Sequence, residues 1–203
     1  MSQIQGGLGG EFRLPRRLLT DAPEAEARRV LSALLLCAAG GERPPRGEAT
    51  VRLLARIASD EDFQATLVGA RAEARGADLL ICREAGEFDR AGAPDVVVPL
   101  GESVFDGRFA ITCRVAGLRV RPAVGLAAQL DRDAQARLAA LPPSVRRGMP
   151  AALAEGRAPL LPPPSGDGPI LARPITRERL WAALGAYPDE ASFWRVENLR
   201  RRS

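Results

Sequence analysis

Ala65-Thr66-Leu67-Val68-Gly69-Ala70-Arg71, continued by Leu79-Leu80-Ile81-Cys82-Arg83-Glu84, decides how this chain is read. The two runs form a β-hairpin. Arg75-Gly76-Ala77-Asp78 is its two-residue turn, with Gly76 supplying the positive φ and Arg75 set opposite Asp78. Phe105-Asp106-Gly107-Arg108-Phe109 then turns the chain into a further strand. Arginines recur throughout, and no nucleophile or general base of recognisable geometry accompanies them. That pattern fits a module that holds an anion and leaves chemistry to other residues.

Working upstream, residues 1–20 lack periodicity and predict a loosely attached lead-in, and Gly6-Gly7-Leu8-Gly9-Gly10 lacks the preceding strand that a phosphate loop needs. Asp21 and Glu24 have the spacing of a capping box, with Pro23 suited to a first turn. The helix that follows puts Ala27, Val30, Leu31, Leu34, Leu35 and Ala38 on one face, and Gly40-Gly41 stops it. A second helix is predicted over about 48–58, with Leu54 and Ile57 toward the first, so residues 21–60 form an antiparallel pair.

Downstream, residues 84–102 read as a loop with an edge strand at Val96-Val97-Val98. Phe109, Ile111, Cys113 and Val115 alternate with Arg108, Ala110, Thr112 and Arg114, and Leu118 and Val120 alternate with Arg119 and Arg121. With Ala116-Gly117 as turn, this predicts a half-buried hairpin that sets Arg114 across from Arg119. A helix capped by Asp131, a strand at 170–172 and a helix from Thr176 follow. The fold class is α+β: a helical pair over 21–60, a small mixed domain with antiparallel hairpins and short helices over 61–187, and a basic tail over 188–203.

Composition narrows the chemistry. All 29 basic residues are arginine, with no lysine and no histidine, so Ser-His and Cys-His systems, histidine metal sites and Schiff bases are excluded. Arginine stays protonated and offers a planar fork suited to phosphate. The net charge of +4 is uneven: residues 1–100 carry 13 Arg against 15 acids, and residues 101–203 carry 16 against 10. Cys37, Cys82 and Cys113 are far apart in apolar stretches, which suits buried thiols in a reducing cytosol. The apolar run 30–39 is too short to span a bilayer, and a soluble, cytoplasmic protein with no membrane partner is expected. Asp60-Glu61-Asp62 and Asp189-Glu190 read as caps or solubility features.

The candidate nucleic-acid contacts are therefore Arg108, Arg114, Arg119 and Arg121 on the predicted hairpin, with Arg146 and Arg147 after the double proline. A solvated face neutralised by nearby acids is the alternative reading of the same residues. The Arg195, Arg200, Arg201 and Arg202 cluster reads as nonspecific charge. Aromatics are few, so RNA would be held by shape and backbone charge rather than by stacking. No catalytic residue, cofactor site or metal site is expected.

The Ala65–Arg71 and Leu79–Glu84 runs and Phe105–Phe109 resemble the C-terminal half of bacterial tRNA(Ile)-lysidine synthetases, departing from that pattern at Val68, Ala70 and Phe105. Ala27-Arg28-Arg29-Val30-Leu31, Gly40-Gly41-Glu42-Arg43-Pro44-Pro45-Arg46, Leu118-Arg119-Val120-Arg121-Pro122 and Arg173-Pro174 extend the resemblance over about residues 20–186. The family's N-terminal ATP-pyrophosphatase domain, with its Ser-Gly-Gly-x-Asp-Ser loop, has no counterpart here. The resemblance implies ATP-dependent attachment of lysine to the wobble cytidine of tRNA(Ile), with ATP and magnesium belonging to that missing domain. It implies tRNA as partner, and a truncated protein or one working with a separately encoded catalytic domain. A protein-interaction or dimerisation module without RNA binding is the rival.

Overall fold

The computed structural model describes residues 3–59 and 61–185. In chain order the elements are β1 (Gln5–Gly6), β2 (Phe12–Pro15), α1 (Arg17–Thr20), α2 (Glu24–Ala39), α3 (Gly47–Ala58), β3 (Phe63–Leu67), β4 (Ala70–Arg75) and β5 (Asp78–Arg83). Then come α4 (Gly86–Ala91), β6 (Val96–Val97), β7 (Gly101–Phe105), β8 (Phe109–Cys113), β9 (Arg119–Pro122), α5 (Arg132–Ala139), α6 (Pro143–Arg146), β10 (Pro150–Leu153), β11 (Ile170–Pro174) and α7 (Thr176–Ala183). Helices and antiparallel sheets together make the predicted α+β class. The expectations for the basic tail, Asp189-Glu190 and Asp60 lie outside the described residues.

Two compact units divide the chain. Among the described residues, the first comprises 3–84 and 176–185, and the second comprises 85–175. The helical pair is thus not separate from the strands after it: α2 and α3 belong with β3, β4 and β5, and the boundary falls after Glu84 rather than near residue 60.

In the first unit, five antiparallel strands run in the order β1-β2-β5-β4-β3. Phe12, Ile81, Ala72 and Ala65 stand in one row across the sheet, and Leu14, Leu79, Ala74 and Phe63 in another. These rows share a core with Leu31, Leu34, Leu35 and Ala38 of α2, Leu53 and Ile57 of α3, and Leu180 of α7. Each fully buried leucine contributes about 1.5–3 kcal/mol. Gly40 ends α2 in the left-handed region at φ +68°, as its position predicts. Arg75 pairs with Asp78 across the Gly76 turn, also as predicted.

Two local expectations fail here. The predicted lead-in contains β2, whose Phe12 and Leu14 are buried and which pairs with β5 inside the sheet. Four residues are too few to show periodicity. The glycine segment is folded as well: the Gly9 N–H donates to the Glu11 carboxylate at 2.9 Å, and the Gly7 N–H donates to the Glu11 carbonyl oxygen. A Cβ on Gly7 would lie 2.0 Å from that carboxylate, so a larger residue there would push the Glu11 side chain off the Gly9 N–H. The capping box is also absent. Pro23 is the N-cap of α2 at ψ 139°, which leaves Asp21 outside the helix, accepting from the Thr20 hydroxyl.

The second unit contains two three-stranded antiparallel sheets, β10-β9-β6 and β11-β8-β7. Its core includes Phe105, Phe109, Ile111, Cys113, Val120, Ala151, Leu161 and Ile170. Asp131 caps α5 as predicted, its carboxylate accepting from the Ala134 N–H at 2.7 Å. The alternation over 109–113 is real, with Phe109, Ile111 and Cys113 buried. The hairpin built on it is not. β8 pairs with β7 and β11, whereas β9 pairs with β10 and β6, so Arg114 does not face Arg119. The Ala116-Gly117 turn hands the chain from one sheet to another. Residues 86–91, expected as loop, form the short helix α4.

Candidate nucleic-acid interface

Strand periodicity sorts the predicted arginines. On β9, Val120 points into the core at 0% exposure, so Arg119 and Arg121 share the opposite face, roughly 6.6 Å apart at twice the rise per residue. Arg119 lies across from Val97 on one side and Leu153 on the other, and Arg121 lies across from Ala151. The Arg119 guanidinium donates from Nε at 3.0 Å and from Nη2 at 2.9 Å to the two carboxylate oxygens of Asp95. Arg121 is half-buried, and its Nε has no hydrogen-bond partner among the described residues.

Arg108 was expected on this face and is instead buried, at 1% exposure. It follows the Asp106-Gly107 turn. Its Nε donates to Asp106 at 2.9 Å, its Nη2 donates to the Gly148 carbonyl at 2.6 Å, and its guanidinium carbon sits 5.0 Å from the Phe109 ring centroid. A guanidinium so enclosed supports the turn and is closed to an external phosphate.

The other three are at or near the surface and already engaged. Arg114 donates to the Gly166 and Gly168 carbonyls, each at 3.1 Å, with Asp167 at 3.9 Å. Arg147 donates from Nη2 to both carboxylate oxygens of Asp89, at 3.1 and 2.9 Å. Arg146 donates to the Leu141 and Ala139 carbonyls at 2.9 and 2.8 Å and so closes the end of α5. The carboxylate pairs of Arg119 and Arg147 are exposed, and such pairs contribute about 0–1 kcal/mol, so an incoming phosphate can exchange with the carboxylate at little cost.

Counting charges hides the structural use of arginine. In the first unit, Arg16 reaches the Ser59 and Glu61 carbonyls beyond α3, Arg83 reaches the Ala39 carbonyl at the end of α2, and Arg179 reaches the Gly41 carbonyl. In the second, Arg137 donates to the Leu161 carbonyl. Helix C-termini leave carbonyls without intrahelical donors, and a guanidinium fork satisfies two at once. Only a spatial arrangement separates these arginines from surface ones. Among the described residues no cluster of three or more His, Cys, Asp or Glu side chains could hold a metal ion, and no helix is long and apolar enough to cross a membrane.

No family model matches the chain, and no solved structure matches it. The tRNA(Ile)-lysidine synthase of Caulobacter vibrioides is 39% identical over 189 residues, which cover 90% of this chain and 44% of that protein. The tRNA(Ile)-lysidine synthase of Hyphomonas neptunium is 46% identical over 65 residues, covering 32% of this chain and 18% of that protein. The chain thus spans less than half the length of the curated relatives it matches. Arginine-bearing strands and the extent of the Caulobacter match agree with the resemblance carried by the motifs: the chain belongs to the tRNA(Ile)-lysidine synthase family, as a partial region of it.

Proposed function

We propose that this chain is a tRNA-binding region of a tRNA(Ile)-lysidine synthase, with the adenylating and lysine-transferring chemistry supplied by residues outside these 203. The observation that carries the reading is the Arg119–Arg121 face of β9, set opposite the buried Val120, on which Arg119 is exposed and Arg121 half-buried. Its spacing is comparable to the step between successive phosphates on one nucleic-acid strand. The relatives' names supply the substrate class, and the absence of lysine and histidine from the sequence is consistent with a binding role. Arg114 and Arg147 extend the same chemistry. Arg108 and Arg146 are left out, because their guanidinium groups serve the fold.

Filter binding to tRNA at several salt concentrations tests this. Phosphate contacts make the logarithm of affinity fall with the logarithm of salt, with a slope of about 0.7–0.9 per contact. Arg119→Ala with Arg121→Ala is expected to weaken binding to different tRNAs alike and to shallow the slope by up to about twice that amount. Asp95→Asn frees Arg119 and is expected to tighten binding by roughly 1.4- to 5-fold, an effect that disappears in the Arg119→Ala background. Unchanged affinity and slope in the double variant would overturn the assignment of this face.

A further inference from the structure

The described sheets have edge strands that differ in how they are protected. An edge presents unpaired backbone groups to any passing strand, and folded proteins blunt it with shortness, proline, charge or a covering segment. β1 is two residues long and contains glycine. β6 is also two residues long, set between Pro94 and Pro99. The outer side of β10 is covered, Ala152 exchanging both backbone hydrogen bonds with Leu160. β11 ends in Arg173-Pro174, and the Ala172 N–H donates to the Pro163 carbonyl. β7 opens on Gly101 and the exposed carboxylate of Glu102.

Among the described residues, β3 carries none of these devices. Phe63-Gln64-Ala65-Thr66-Leu67 holds no proline, glycine or charged residue, and among the described residues it pairs only with β4. Gln64 and Thr66 are exposed, as is Val68 at 46% just beyond them. Apart from its ladder with β4, its backbone makes no hydrogen bond to other backbone among the described residues.

We propose that β3 is a self-association seam, at which a second copy of this chain adds its own β3 antiparallel to the first. Polarity identifies the occupant. About a two-fold axis at Ala65, Phe63 of one copy faces Leu67 of the other, Gln64 faces Thr66, and Ala65 faces Ala65. Apolar residues meet apolar ones on the core side, polar residues meet polar ones on the outer side, and no charge meets its like. A two-fold interface requires one patch to complement itself in this way. The pairing joins two five-stranded sheets into one of ten and satisfies backbone groups that one copy leaves to water.

Analytical ultracentrifugation of the whole chain tests the seam. The expected species is a dimer. Gln64→Lys, which places an edge charge opposite Glu73 of its own β4 and gives up the hydrogen bond from Arg71, is expected to halve the mass while the melting transition of the fold remains. Register is read separately by mild oxidation. Ala65→Cys is expected to give a disulfide-linked dimer, because facing residues across antiparallel strands lie about 4.5–5.5 Å apart. Thr66→Cys, facing Gln64, is expected to give much less. The native thiols Cys37, Cys82 and Cys113 are buried and contribute little background. A monomer at every soluble concentration would overturn the proposal, and so would a dimer that survives Gln64→Lys without Ala65→Cys cross-linking.

Discussion

The β3–β4 turn at Val68-Gly69 and the β7–β8 turn at Asp106-Gly107 both put a non-glycine residue at positive φ, +47° and +50°, followed by glycine at +80° and +62°. Their support differs in where it comes from. Asp106 tolerates the left-handed region, and its carboxylate receives Arg108, which carries the turn's restraint inward to the Gly148 carbonyl. Val68 is β-branched, exposed, and ill suited to this conformation. Similar backbone geometry is thus held by a buried ion pair from the turn's own aspartate in the second unit, and in the first by the flanking strands with the Gly69 carbonyl accepting from the Glu84 N–H at 2.9 Å and from Arg83 at 3.4 Å. A turn's sequence reports its conformation only when the turn residues themselves stabilise it.

The largest test of this contrast is Arg108→Ala. It removes the guanidinium that meets the Asp106 carboxylate, 11% exposed, and breaking a buried pair from one side costs about 3–5 kcal/mol. Chemical denaturation is expected to show that loss. A change below about 1 kcal/mol would put Arg108 in the class of surface arginines.

Alkaline pH weakens the first unit through α2. Burial pushes the Cys37 thiol up to about 11 from an ordinary 9.0, with the Arg179 charge opposing part of the rise. The folded state therefore keeps a proton that the unfolded chain releases. Stability is unaffected below about pH 9, falls as pH rises toward 11, and levels beyond, by roughly 2–3 kcal/mol in all. No lysine titrates in that window. Denaturation midpoints across pH 8–11 are expected to slope more steeply for the wild type than for Cys37→Ala, and equal slopes would contradict the assignment.

The smallest effect sharpens the comparison of turns. Val68→Asn installs Asn-Gly, a favoured two-residue hairpin sequence, where a β-branched residue is strained. It is expected to stabilise the protein by about 1 kcal/mol. Thermal melting of the variant checks this, and destabilisation would show that Val68 has a packing role at the turn.

Local signals made α2, α3, the Gly76 turn and the Asp131 cap legible, because each is decided within a few residues. Alternation over 109–113 named the buried face of β8 and was silent about its neighbours. One of these, β11, begins 57 residues after β8 ends, and no period-two pattern carries that distance. The same gap separates Arg108 from its role. Its spacing with Arg114 suggests a shared charged face, but it is the last residue of the three-residue loop between Phe105 and Phe109, outside the alternation of β8 proper. Arg119 and Arg121 were read correctly as sharing a face because a single buried residue between them fixes it.

The interruption of the first unit by the second reverses their order of completion during synthesis. β2 waits for β5, and at about 5–20 residues per second the 69 residues from Phe12 to Ile81 take roughly 3–14 s to be made. The core of the first unit also takes in Leu180 and Leu184, so it closes only after residues 85–175 have been translated. The part of the fold that begins first on the ribosome is the last to be finished there, and the continuous stretch 85–175 can be native while its predecessor is still incomplete.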